Sequence, residues 1–292
     1  MGEENTTYVN RQYKDRLFKL IFRDKRDLLQ LYNALNNTDY SNTEDIEVNT
    51  LEDVIYMGMK NDVSFLFTDV LNLYEHQSTF SPNLPLRGLL YFARLYQKIV
   101  KHHKDIYSSK IIKLPYPQFV VFYNGTEEEP ERQVLELSDA FPAWSKKENA
   151  ALECRAVVLN INLGYNASIL DKCKKLKEYA QFIAQVRVFL GEGYDSSMAI
   201  GKAIDVCIDK GILEEILRNH REEVHSMLLT EYDEQAHIKN EREIALEKGR
   251  EEGEKRLAKL VQILLDGGRN DDLNRAMADE NYRKQLFEEF KL

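Results

Sequence analysis

Asp62, Glu75 and Gln77 are the residues whose types and spacing offer a chemistry. Val70 to Gln77 (VLNLYEHQ) has the composition of a β-strand, in which side chains alternate between faces. Leu71, Leu73, Glu75 and Gln77 then share one face, and Asn72, Tyr74 and His76 the other. A carboxylate closing an apolar strand face is costly unless it meets a cation or hydrogen-bond donors, which makes Glu75 informative. Asp62 opens the preceding run, DVSFLF, and the two-residue break Thr68-Asp69 suits a tight hairpin that would bring that run alongside Glu75. Two carboxylates and an amide would then converge. Hard oxygen ligands in that number suit Mg2+, or Mn2+, which keeps water in its remaining positions. Such an ion polarises a phosphate, lowers the pKa of an attacking water and stabilises charge on the leaving oxygen, the logic of phosphodiester hydrolysis. Gln77 would hold the water or a phosphate oxygen, but it brings no positive charge. The plainer alternative makes Asp62 a turn residue and Glu75 an edge-strand glutamate paired with Lys60 or Arg87.

Those residues need a sheet and a scaffold behind it. From Tyr8 to Asn36, Leu17, Leu20, Ile21, Leu28, Leu31 and Leu35 recur at helical spacing, with a break expected between Phe22 and Asp27. The polar stretch Asn36 to Asn49 reads as a loop. Val54 to Met57, Asp62 to Phe67 and Val70 to Gln77 read as a three-stranded antiparallel meander. Leu86 to Lys104 returns to a helical pattern, which Pro115 and Pro117 stop. Gln118 to Tyr123 (QFVVFY), closed by Asn124-Gly125, has the continuous apolar character of a strand buried on both faces. An acidic loop, GTEEEPE, precedes a further buried strand from Cys154 to Ile161. Beyond Gly164 the pattern is helical: Ile169 to Leu190, Ser196 to Ile208, Ile212 through Leu265, a stop at Gly267-Gly268, and a last helix from Asp271 to Phe290. This succession predicts an α/β domain over residues 1–166 and an all-helical region over 167–292.

The set DRLFK (Asp15 to Lys19), KNDVSFLF, YEHQS, PLRGLLYFARLY (Pro85 to Tyr96) and PQFVVFYNG resembles the PD-(D/E)xK nuclease-like proteins described as recombination-promoting nucleases or transposases. The resemblance covers about Tyr8 to Ile161. It implies a restriction-endonuclease-like core, a mixed central sheet flanked by helices, and a Mg2+-dependent DNA endonuclease with a role in recombination or mobile-element movement in bacteria. Asp62 matches the family's metal-binding Asp, Glu75 the first residue of its second motif and Gln77 the catalytic third residue of that motif, where this subgroup commonly carries Gln instead of Lys. The His76 backbone carbonyl would add a metal ligand. Asp15, from the first helix, and Arg87 are accessory candidates. The other reading is a catalytically weak nuclease fold that recruits a partner, or a second copy, through its helical tail.

Charge and composition narrow the classes. Forty Lys plus Arg against 49 Asp plus Glu leave a net charge of −9, which argues against a basic coat for nucleic acid. Contact with DNA must then come from local patches. Gln97 to Lys113 contains five lysines against Asp105 alone, so Lys98, Lys101 and Lys104 are the candidate DNA contacts, and Lys172, Lys174, Lys175 and Lys177 form a smaller excess. The three cysteines form neither a metal pair nor a disulfide framework, and no run reaches the ~18 apolar residues of a membrane helix, so a cytoplasmic protein with no membrane partner is expected. Adjacent His102 and His103 make a poor metal pair on a helix. No GxxxxGK[ST], HExxH or GxSxG motif occurs. Gly249 and Gly253, four residues apart in a tail of alternating charge, would let a second helix approach closely and form a homodimer.

Overall fold

The computed structural model describes residues 16–48, 63–100, 104–107, 109–142 and 150–292. The chain divides into two compact units, Met1–Glu231 and Tyr232–Leu292. In the first unit, α1 (Arg16–Ile21) and α2 (Lys25–Asn36) are separated at the expected break. Asp24 supplies the N-cap there, its carboxylate accepting from Arg26 N at 2.7 Å. The strands are β1 (Ile46–Val48), β2 (Val63–Phe67), β3 (Val70–Gln77), β4 (Tyr116–Tyr123), β5 (Arg132–Glu136) and β6 (Arg155–Asn160), with α3 (Leu84–Val100) between β3 and β4. They form one mixed sheet in the order β1-β2-β3-β4-β6-β5. The β2–β3 hairpin turns on Thr68 and Asp69, Thr68 adopting a positive φ of 53°. β3, β4 and β6 are mutually parallel and central.

The two faces of the sheet are covered by different helices. Leu71 and Leu73 of β3, Phe119, Val121 and Tyr123 of β4 and Ala156 and Val158 of β6 bury against Leu84, Tyr91, Phe92 and Leu95 of α3. On the opposite face, Tyr32 of α2 meets the rings of Phe65 and Phe67, while Phe18 of α1 stacks on Phe122 at 5.3 Å. Gly88 sets how closely α3 approaches: a Cβ there would lie 2.6 Å from Phe119 Cδ1. The unit continues through α4 (Ala167–Lys172), α5 (Lys174–Gly191), α6 (Ser196–Asp209) and α7 (Glu214–Asn219) into α8 (Arg221–Asp266). Asn166, where the composition changes, is the N-cap of α4, and the unit containing the sheet extends past it to Glu231.

In the second unit, α8 is followed by α9 (Asn270–Ala278) and α10 (Glu280–Glu289). Leu260, Leu264, Ala276 and Leu286 form its small core. The Gly267-Gly268 stop is present, Gly268 having φ 68°.

Five expectations need correction, two of them helices that are each a pair: Ile169 to Leu190 is broken at Cys173, and Ile212 through Leu265 at His220. The polar stretch 36–49 contains β1, which is too short for alternation to register and is fixed by pairing Ile46 with Phe67. β5 went unrecognised because this edge strand is half-exposed and polar, with burial too uneven to leave an apolar run. The last helix is two, broken at Asp279, whose side chain caps α10 by accepting from Tyr282 N at 3.1 Å. The strand expected at Val54 to Met57 lies outside the described residues.

Candidate functional site

β3 is an interior strand, so Glu75 is not on an edge. Its side chain is on the α3 face, one step beyond Leu71 and Leu73 in the alternation, and only 2% exposed. The cation that burial of a carboxylate demands comes from α3: Arg87 Nη2 lies 3.1 Å from Glu75 Oε2. With the Gln77 amide oriented so that both its atoms are satisfied, Gln77 Oε1 accepts from Arg87 Nη1 at 2.5 Å and its Nε2 donates to the Thr79 carbonyl at 3.2 Å. One guanidinium therefore engages both members of the ExQ pair. Arg87 reaches this position because α3 begins just after β3 and runs back along it, with Pro85 tolerated in the first turn.

Asp62 and Asp15 lie outside the described residues, as does Lys101. Val63, the residue after Asp62, pairs with Tyr74, the residue before Glu75. The His76 carbonyl can be placed by its neighbours. Gln77 O accepts from Asn124 N on the β4 side at 3.0 Å, and successive carbonyls of a strand alternate, so that of His76 is directed toward the β2 side. Among the described residues, no three His, Cys, Asp or Glu side chains converge as a metal group.

The His76 side chain, on the other face, is 3% exposed and belongs to a polar network that sequence reasoning missed. Its Nε2 lies 2.8 Å from Asn124 Oδ1 and 2.9 Å from Tyr179 Oη, and Asn124 Nδ2 donates to Tyr179 Oη at 3.1 Å. Phe18 stacks against the imidazole at 5.9 Å. Arg187, two turns along α5 from Tyr179, donates to the Asn124 carbonyl and to Asn162 Oδ1 at 2.6 Å. Asn162 Nδ2 in turn donates to the Gly125 carbonyl at 3.1 Å. These contacts gather at the carboxyl ends of β3, β4 and β6, the edge at which open α/β sheets place their ligand sites. Gly125 is forced there: a Cβ would lie 2.4 Å from the Ser78 carbonyl oxygen. The only signal in the sequence was Asn124-Gly125 after an apolar run; nothing local marks Tyr179 or Arg187.

The basic stretch lies elsewhere. Lys98 is in the last turn of α3, eleven residues from Arg87 and so roughly 16 Å away along the axis. Lys104 begins the short 3-10 turn Lys104–Tyr107 that follows. Tyr96 Oη donates to the Pro115 carbonyl at 2.8 Å, so this end of α3 stands by the amino end of β4, opposite the edge bearing Gln77. Of the smaller excess, Lys172 donates to Asn37 Oδ1, Lys174 faces Glu178 at 3.5 Å and Lys177 faces Asp171 at 2.7 Å.

Comparison of the chain with protein-family models, with curated proteins and with solved structures gave no match. Among the described residues, no helix is long and apolar enough to cross a membrane.

Proposed function

We propose that the first unit is a restriction-endonuclease-like domain that hydrolyses DNA phosphodiester bonds with a divalent metal, serving recombination or mobile-element movement. The supporting observation is the buried Glu75 carboxylate at the carboxyl end of an interior strand, with Gln77 on the same face and a guanidinium shared between them. Such a carboxylate has no packing value of its own and is retained at a cost in desolvation. The oxygen donors at hand, Glu75 and the His76 carbonyl, are hard and suit Mg2+ or Mn2+, and Asp62, which precedes Val63 in the sequence, is the further ligand this reading expects. When bound there, the ion would supply electrophilic activation of the phosphate and of a water. Gln77, tethered through Thr79, would orient that water or a phosphate oxygen through its amide. Leu71 and Leu73 behind it would exclude bulk water from the inner side.

The test is cleavage of supercoiled and linear DNA at low salt with Mg2+ or Mn2+. Asp62→Ala and Glu75→Ala should each reduce the rate by at least roughly 10²-fold, since each removes a metal ligand. Intact DNA under all those conditions, or variants that cut as fast as the parent, would overturn the reading.

A second reading is favoured by the same ion pair. Arg87 already neutralises Glu75, as it would in a fold that has given up its metal and serves as a binding or regulatory module. Mn2+ titration by calorimetry separates the two: the module shows no binding heat that depends on Asp62 and Glu75.

A further inference from the structure

We propose that Arg87 is the phosphate-binding cation of this site: a guanidinium stored between Glu75 and Gln77 that turns to a nucleic-acid backbone phosphate when the glutamate's charge is otherwise satisfied. The inference deepens the nuclease reading and rests on it for the identity of the ligand. Gln77 occupies a position on the reactive strand face that carries no charge, yet a phosphodiester arriving there is anionic. Among the described residues, the cation set against it is Arg87, 2.5 Å from Gln77 Oε1 and 3.1 Å from Glu75 Oε2.

Exposure distinguishes the two partners. The Glu75 side chain is 2% exposed and the Arg87 side chain 32%, so a macromolecular anion that cannot touch the carboxylate can still meet the guanidinium. The planar fork suits that exchange, because the two donors now spent on a carboxylate and an amide oxygen have the geometry that binds two phosphate oxygens. A guanidinium stays protonated, so Arg87 cannot be a general base; its part is to hold and neutralise the phosphate. Lys98 cannot serve at this point, since it stands roughly 16 Å further along α3.

The ion pair makes a metal-free experiment decisive. Glu75→Gln keeps the shape and hydrogen-bonding capacity of the side chain while removing the charge that now opposes Arg87. Binding of a fluorescent 20-base-pair duplex is measured by anisotropy in EDTA across a salt series, for the parent, Glu75→Gln, and Glu75→Gln combined with Arg87→Gln or with Arg87→Lys. Far-UV circular dichroism verifies that each variant is folded. Glu75→Gln should bind about tenfold more tightly than the parent, and adding Arg87→Gln should abolish that gain. The same step should lower the slope of log K against log salt by about 0.9, the value for one lost phosphate contact, whereas Arg87→Lys should preserve the slope. A gain that survives Arg87→Gln, an unchanged slope, or a Glu75→Gln variant no tighter than the parent overturns the proposal. Displacement of the duplex from Glu75→Gln by low-millimolar inorganic phosphate also overturns it, by assigning the site to a free phosphate. Because no metal is present, a parent protein that fails to cut DNA refutes the nuclease reading without touching this result.

Discussion

At the scale of single residues, three carboxylates of the first unit show how burial is handled, two by a cation and one by a shift toward the neutral form. Glu75 has Arg87. Glu178, 8% exposed, has Lys174 at 3.5 Å and accepts from Leu213 N at 3.2 Å. Asp27, in the first turn of α2, is less well served. Burial raises its pKa above the ordinary carboxylate value, Lys175 lowers it in part, and Asp24, Glu178 and Glu215 raise it further. A carboxyl whose folded-state pKa is raised favours folding only when protonated. Its penalty is absent below the unfolded value and fully present once pH exceeds the folded one. Asp27→Asn should therefore raise the melting temperature by about 2 °C at pH 7.5, and the gain should shrink as pH falls to 4. Thermal melts followed at both pH values check this; an equal gain at both would sink it. Glu75 was legible in the sequence because period-two alternation is local, and it put a carboxylate where a leucine was due. The His76–Asn124–Tyr179–Arg187 network was not, since its members come from β3, the end of β4 and α5 and meet only through tertiary packing.

At the scale of elements, strands with strong apolar character were readable and those fixed by their neighbours were not. β3 and β4 announce themselves by composition, because both lie inside the sheet and must be apolar on at least one face. β1 and β5 lie at its two edges, where only one side of the backbone is paired and burial is slight, so their sequences look like loop. The α3 interface shows what the sequence conceals. Gly88 would ordinarily weaken a helix by about 1 kcal/mol relative to Ala, and propensity alone predicts that replacing it should help. The contact with Phe119 reverses the sign: the added methyl would need the ring, at 2.6 and 2.7 Å, to shift within a packed core, with Cys154 Sγ behind it at 3.3 Å. Gly88→Ala should destabilise the fold by about 1–3 kcal/mol in urea unfolding despite its better helix propensity. As Arg87 adjoins it in sequence, the same substitution should also weaken whatever the Glu75 site binds. A stability equal to or above the parent's would show that α3 has room to withdraw from the sheet.

At the scale of the whole molecule, the net charge of −9 is unevenly distributed: the basic stretch from Gln97 to Lys113 is locally positive, and the segment from Glu241 onward has 13 acidic against 11 basic residues, a net of 11 − 13 = −2. That nearly neutral tail is where a partner of the chain's own kind is expected. Along α8, Leu246, Gly249, Gly253, Leu257 and Leu260 recur at spacings of three and four, the seam of a paired helix. Leu246 is 77% exposed, and a Cβ on either glycine would meet nothing within 4 Å. Leu260, further along the same stripe, is instead buried in the small core with Leu264, Ala276 and Leu286. The stripe thus passes from a covered part to an uncovered one, and two antiparallel or parallel copies would cover the remainder through the glycine gap. Light scattering of the full chain should give twice the 34.2 kDa monomer mass, and a chain ending at Asn240 should give a monomer. Leu246→Glu in the full chain should produce the same halving of mass, because one buried like-charge pair per dimer removes more than a single seam leucine contributes. A mass that is the same for the full chain, the shortened chain and Leu246→Glu would locate any self-association outside the tail, and would leave Gly249 and Gly253 as exposed residues that merely weaken α8.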